Sequence, residues 1–420
     1  MNVCLIAPAT VFAENPMVFP PLGLFYLWSS LEKLGHRVAY RDLSEDALPL
    51  EGFDAYLVSG TSPQAHEIRR IGALLRAHGK RGILGGSHAT VRGARCLEYG
   101  YDVVVSGEVD DPATLDEVLN APPMTNVTRP HEPSLENAVR PERKAAWRYR
   151  YAIEDEDGKA HPATTMFTSR GCPYRCAFCE TVEIWGTKVR WVPFATVKAE
   201  IEEIADLGFT GIMFYDDIFP LNKPRTLEIA DVLTYYHRRE GLVWRCLLRV
   251  DLIEQNGGRD YLQTLFESGL REVAVGVESG SNLIKSNIGK RTTIEQDTRV
   301  LRWCRELGIR FKASLVLGLP GETRETMEET RRWILENRPD RVDLNTYIPY
   351  PGSPITDAIE RGDTTYDIYW DRDLVTEEFW YKGKGLSRSS SSLTGTSSLR
   401  PEEIADFQQR LAAEISGIPY

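Results

Sequence analysis

The chain has 420 residues, 42% apolar and 26% charged, with 50 basic against 61 acidic residues and a formal charge of −11. That length suits two or three domains and that composition a sizeable core, whereas an acidic balance without a Lys/Arg block argues against broad contact with nucleic-acid phosphates. No stretch approaches 18 consecutive apolar residues, the start MNVCLIAPATVF lacks a basic and a long apolar region, and seven cysteines form no even disulfide framework, so a cytoplasmic, reducing location is expected.

Apolar runs at 3–7, 37–40, 54–58, 82–84 and 103–105 read as buried strands, and 22–34 and 67–77 as helices stopped by Gly35 and Gly79. This alternation predicts a doubly wound, Rossmann-like parallel sheet over residues 1–120. Small polar loops recur at the carboxyl ends of its strands: Ser59-Gly60-Thr61-Ser62, Gly85-Gly86-Ser87-His88 and Ser106-Gly107-Glu108. That edge is where open α/β sheets bind ligands. Residues 121–150, rich in proline and charge, read as a linker.

The strand–helix rhythm restarts near 163, with strands at 164–168, 211–215, 243–250, 272–277, 312–317 and 341–347. Helices fall between them at 197–207, 225–238, 295–306 and 323–336. Six such units predict a partial (β/α)6 barrel over 151–360. A short extension, 361–420, follows. In it, 367–381 is aromatic and charged, 387–398 is serine-rich and reads as a flexible linker, and 401–415 reads as a closing helix.

Period-2 alternation sorts the barrel strands into two faces. One carries Arg245, Arg249, Glu272, Glu278, Lys312, Ser314, Asp343, Asn345 and Tyr347; the other carries Leu248, Val250, Val273, Val275, Val277, Leu315, Leu317, Val342 and Leu344. A closed eightfold barrel packs aliphatic layers inside. A polar face instead predicts a wet, ligand-holding interior. On parity alone, Arg245, Arg249, Asn345 and Tyr347 are expected to face the substrate, with Arg245, Arg249 and Tyr347 as the catalytic candidates.

Three cysteines share one loop, Cys172, Cys176 and Cys179 in SRGCPYRCAFCE. The spacing C-x3-C-x2-C leaves a four-iron cubane one ligand short. A structural zinc wants four closed ligands, and His161 is the one nearby candidate for a fourth. The remaining Cys4, Cys96, Cys246 and Cys304 are scattered singly and read as small buried hydrophobes.

The cysteine loop, with Phe178 before its last cysteine, resembles the signature of the radical S-adenosylmethionine (SAM) family. So do later segments, in chain order and at strand ends: Tyr215-Asp216-Asp217-Ile218-Phe219, Val275-Gly276-Val277-Glu278-Ser279-Gly280, SLVLGLPGE from Ser314 to Glu322, and Asn345-Thr346-Tyr347-Ile348-Pro349. The resemblance implies a [4Fe–4S] cluster held by the three cysteines, whose open iron chelates SAM. One electron then splits the sulfonium to a 5′-deoxyadenosyl radical. It also implies SAM contacts from Phe178, Asp216, Glu278, Ser279, Ser314 and Pro349, although Ile218 stands where relatives often have Asn.

Pro20-Pro21-Leu22-Gly23-Leu24 and the loops at 84–90 and 106–108 resemble the cobalamin-binding domain fused to many such enzymes. This implies cobalamin contacts from Ser59, Thr61, Gly85, Gly86, Ser87, Gly107 and Glu108. The cobalt-ligating motif Asp-x-His-x-x-Gly is absent, and His88 is expected to be a loop hydrogen-bonder. Together the resemblances imply a cobalamin-dependent radical SAM methyltransferase: the radical takes hydrogen from a small natural-product substrate, methylcobalamin supplies the methyl group, and a second SAM restores it. An electron donor such as flavodoxin or ferredoxin is implied; nucleic acid and membrane are not. Cys4 and Cys96 are too few for the second cluster of methylthio-transferring relatives. Two alternatives stand: a cobalamin-free dehydratase, epimerase or cyclase on a sugar or natural product, with a vestigial first domain, and a non-enzymatic metal protein.

Overall fold

A computed structural model describes residues 1–417 apart from 12, 14, 130–132 and 371–391. The amino-terminal sheet contains β1 (Asn2–Ala7), β2 (Arg37–Asp42), β3 (Ala55–Ser59), β4 (Gly82–Gly85), β5 (Val103–Ser106) and β6 (Thr125–Thr128) in the order β2-β1-β3-β4-β5-β6. All its pairings are parallel. The chain reverses its winding between β1 and β3, so the carboxyl ends of those two strands flank a switch-point crevice.

The strand β6 corrects the boundary at residue 120, because the first sheet runs into the segment expected to be a linker. That segment is also packed. Leu135 and Val139 are buried, and the buried Arg143 binds Glu200, the Thr164 hydroxyl and the Thr165 carbonyl. A run of proline and charge reads as a linker only while its partners are unknown.

The second sheet contains β7 (Tyr151–Glu154), β8 (Ala160–Met166), β11 (Gly211–Phe214), β12 (Val243–Leu248), β13 (Leu270–Glu278), β14 (Arg310–Leu317) and β15 (Arg341–Thr346) in the order β15-β14-β13-β12-β11-β8-β7. Six strands run parallel as expected, while β7, unforeseen, returns antiparallel on β8. Between β8 and β11, β9 (Ser169–Arg170) and β10 (Arg190–Trp191) form a short antiparallel ladder. It ties the neck of the loop carrying the three cysteines.

One hydrophobic core runs through both sheets and the helix Leu22–Lys33, joining Val3 and Phe25 to Tyr149, Ile201 and Leu315. A buried polar link reinforces the joint: the Tyr149 hydroxyl donates to Asp42 at 2.6 Å and also meets the Tyr40 hydroxyl. In the extension, β16 (Tyr369–Trp370) pairs with β17 (Thr394–Gly395), and the helix Pro401–Glu414 packs on β15. Residues 371–381 and 387–391 of the two stretches singled out there lie outside the described residues. The described part, 392–398, is no loose linker: Ser392, Thr394 and Thr396 are buried, and the Thr396 hydroxyl donates to the Glu322 carbonyl at 2.7 Å. Among the described residues no helix is long and apolar enough to cross a membrane.

Candidate active site at the junction of the two sheets

At the switch point lies a cavity of ≈ 360 Å³, set in a cleft whose empty space, counted out to solvent, is ≈ 1340 Å³. Ser59, Gly60, Thr61, Gly86, Ser87, Thr90 and Gly107 line it from the first sheet. Phe167, Arg170, Ile184, Trp185 and Tyr215 line it from the barrel mouth. The loops of the first sheet brace one another. The Thr90 hydroxyl donates to the Gly86 carbonyl at 2.9 Å and accepts from the Gly107 amide at 3.1 Å. Gly86, at φ 90°, has no room for a Cβ, which would stand 2.7 Å from the Gly60 carbonyl oxygen. A Cβ on cavity-lining Gly23, by contrast, would meet nothing within 4 Å. Hydroxyls at strand ends and open glycine positions suit a large flat ligand that needs close backbone approach.

The sequence-predicted residues divide. Ser59, Thr61, Gly86, Ser87 and Gly107 line the cavity, whereas Gly85 does not. His88 does not reach it: its ring is buried, stacked on Tyr99 and bonded to the Ser62 and Tyr99 hydroxyls at 3.2 and 3.3 Å. Burial, with Arg92 and Arg69 nearby, pushes its pKa down to about 3, as befits a neutral loop residue.

Glu108 lines the cavity, and its carboxylate is bound by two arginines. One oxygen takes Arg170 and the other Arg190, each at 2.5 Å, and Arg170 also holds Asp110 at 2.5 Å. Arg170 lies between the Tyr26 and Trp185 rings, 5.2 and 5.4 Å from their centroids. Burial alone would raise the Asp110 carboxyl, but Arg170, a backbone amide and Arg190 together hold it below its ordinary range. The arginine two residues ahead of Cys172 was the available signal for this cluster.

The three loop cysteines are half-buried and free. Burial pushes the Cys172 thiol up to about 11, with smaller contributions from the neighbouring thiols, so iron would have to displace protons on binding. Among the described residues no three His, Cys, Asp or Glu side chains are gathered for a single ion. Thiolates that bind separate irons of a cubane need no such gathering. His161 sits near the opposite end of β8 with Asp155 at 2.9 Å, away from the cysteine loop. The other four cysteines are buried, as expected.

Around the cysteine loop, Ala177 packs with Ile284, Ile288 and Tyr347, and Phe178 lies against that group. Ser314 stays half-buried on the lumen face, in register with Gly276 and Asp343. Glu278 is buried and bound to Lys290. Two expected SAM contacts are bonded within the chain. Asp216 is fully buried and accepts from the Thr168 amide and hydroxyl and from the Ser169 hydroxyl. Ser279 is equally buried, beside Thr330. Pro349 is buried just beyond β15.

The catalytic candidates chosen by parity also have partners within the chain. Arg245 binds Glu272 at 2.7 Å, and its guanidinium lies 5.9 Å from the Tyr151 ring centroid. Arg249 holds Asp251 and the Lys290 carbonyl and stacks 3.7 Å from the Tyr174 ring centroid. Tyr347 is buried in the cluster behind the cysteine loop, its hydroxyl on Ser353. The polar lumen face exists, but at its amino-terminal end the charges answer one another. Arg310 and Arg341 also reach Glu154 and Glu272, and Lys312 holds Asp343 at 2.8 Å.

Comparison with known proteins follows this division. Residues 166–334 match the radical SAM superfamily and residues 8–115 the B12 binding domain. The chain is similar to an uncharacterized methyltransferase of Pyrococcus horikoshii, at 28% identity over 84% of this chain and 82% of that one. It is also similar to the anaerobic magnesium-protoporphyrin IX monomethyl ester cyclase of Cereibacter sphaeroides, at 24% identity over 90% and 66%. Among solved structures it shares the fold of the radical SAM methyltransferase TsrM from Kitasatospora setae, with cobalamin and a [4Fe–4S] cluster bound. The TM-score is 0.68 at 18% identity, covering 86% of this chain and 78% of that one. The cofactor set is therefore a [4Fe–4S] cluster, SAM and cobalamin. The chain thus carries a radical SAM domain over residues 166–334 and, ahead of it, a B12 binding domain over residues 8–115.

Proposed function

We propose that the chain is a cobalamin-dependent radical SAM methyltransferase acting on a small molecule. One observation carries this reading: the strand-end loops of the first sheet and the mouth of the barrel line a single cavity. When bound, the cofactors would supply a deoxyadenosyl radical and a methyl group. The chain's own residues hold and orient. Cys172, Cys176 and Cys179 fix the cluster, and Ser314 and the Glu278 turn frame the SAM side. Ser59, Thr61, Ser87 and Thr90 offer hydroxyls to the corrin's periphery. Phe167, Trp185 and Tyr215 wall the passage between them and keep water from the radical. Phe167 stands 6.1 Å from Trp185 and 6.0 Å from Tyr215 between ring centroids.

A second reading, radical cyclisation or dehydration without methyl transfer, is favoured by the similarity to the cyclase. The two differ in how SAM is consumed. The reconstituted protein is incubated anaerobically with SAM and a low-potential reductant, with and without hydroxocobalamin. Methyl transfer predicts S-adenosylhomocysteine that appears only with cobalamin, beside 5′-deoxyadenosine. Deoxyadenosine alone in both samples would turn the assignment to the second reading.

A further inference from the structure

The cysteine loop is tied at its neck by a ladder of two residue pairs, Arg170 with Arg190 and Ser169 with Trp191. Such a ladder is too short to hold a long loop by itself. Both neck arginines are gripped by one carboxylate, Glu108, which comes from the wall of the cobalamin cavity. The three side chains are each 5% exposed. Arg190 also donates to the Trp185 carbonyl at 3.0 Å, inside the same loop. Trp185 in turn lines the cavity and lies against Arg170.

We propose that Glu108 is a positioning residue that couples cobalamin binding to ordering of the cluster loop. It grips both ends of that loop from the cavity wall. A corrin that settles against Gly107 and Glu108 selects the arrangement in which Glu108 faces both guanidiniums, and so closes the neck. A cluster that orders the loop presents the same two guanidiniums to Glu108, and so completes the cavity wall. Linkage makes the effect reciprocal: each cofactor tightens the other by the same factor. The inference rests on the reading of this cavity as the cobalamin site.

The test is equilibrium dialysis of hydroxocobalamin against the full chain, anaerobically, with the cluster rebuilt and with the iron removed. Coupling predicts binding tighter by roughly 5-fold or more when the cluster is present, the lower end of ordinary allosteric coupling. In Glu108→Gln, which keeps the shape and loses the charge, the two affinities should converge. Equal affinities in the unaltered chain, or an undiminished ratio in the variant, overturn the proposal. Circular dichroism shows whether Glu108→Gln folds. Should it not, Arg190→Gln removes one of the two arms and must also shrink the ratio, and a ratio left intact there overturns the proposal equally. Failure of cobalamin to bind either form would sink the cavity assignment and the coupling with it; binding with equal affinity sinks the coupling alone.

Discussion

Lys290 Nζ lies 2.8 Å from Glu278 Oε1, and both side chains are nearly sealed from solvent at the end of β13. Glu278 reaches this position through a left-handed backbone, φ 65°, where β13 slips register against β14. A side-chain-bearing residue held there stores about 1–3 kcal/mol of strain, which the ion pair helps to offset. Gly276 leaves the space: a Cβ there would sit 2.1 Å from the Glu278 carboxylate.

Lys290→Met should therefore strand a buried carboxylate and cost about 3–5 kcal/mol. Adding Glu278→Gln to it should restore a large part of that loss, because no charge is then left unpaired. Urea denaturation of the two single variants and the double variant gives the interaction energy directly. A Lys290→Met midpoint close to that of the unaltered chain would show that the pair is not structural.

The lumen charges give an asymmetric expectation. Glu272 serves Arg245 at 2.7 Å and stands 3.8 and 3.6 Å from Arg310 and Arg341. Glu272→Gln removes the shared counter-charge of three guanidiniums, whereas Arg245→Gln leaves Glu272 with two of them. The first should destabilise by about 3–5 kcal/mol and the second by less. Thermal melts rank them. If instead Arg245→Gln melts normally yet abolishes deoxyadenosine formation, Arg245 works on the reaction and not on the fold.

That pair also marks what the sequence could reveal. Parity places Arg245 and Glu272 on one face, but their pairing depends on the register of β12 against β13, where Arg245 stands opposite Glu272. Register is a property of the sheet and not of either strand. The parallel strands were legible because burial on both faces makes them apolar runs, and the cysteine loop because its ligands are contiguous. The strand β7 was not: Tyr151-Ala152-Ile153-Glu154 is too short for its period to stand out. Nor was the Glu108 clamp, whose members lie 62 and 82 residues apart. The hydroxyl-rich stretch at 392–398 misled for a related reason. Ser and Thr bury readily once carbonyls such as that of Glu322 accept their hydrogen bonds.

Glu322 gives the pH dependence. Its carboxyl is buried, accepting from the Thr326 hydroxyl at 2.6 Å and the Gly318 amide at 3.2 Å. Burial pushes its pKa from 4.5 up to about 7, and Glu329 adds slightly to the rise. The folded chain thus holds this proton more tightly than the unfolded one. Its contribution is complete below pH 4.5, declines as pH rises toward 7, and is gone above that. The full swing is about 3 kcal/mol at 1.36 kcal/mol per unit. Glu322→Gln, neutral throughout, should remove this slope and leave the variant relatively more stable at pH 8 than at pH 5. Urea denaturation at the two pH values measures it; parallel pH profiles for the two proteins would mean that Glu322 titrates normally.

Gly23 separates folding from cofactor binding. It sits in the first turn of the helix Leu22–Lys33, lines the cavity, and has nothing within 4 Å of where a Cβ would be. In a helix, glycine costs roughly 0.5–1 kcal/mol relative to alanine, so Gly23→Ala should hold or raise the melting temperature. Gly23→Leu should fold equally well, because its side chain grows into open space. That space is the one assigned to the corrin, so Gly23→Leu should weaken hydroxocobalamin binding by about tenfold or more, or about 1.4 kcal/mol. The cluster should still assemble, since Gly23 belongs to the first domain and its open space lies away from the cysteines. A stable Gly23→Leu protein that binds cobalamin with undiminished affinity would place the corrin elsewhere than in the switch-point cavity.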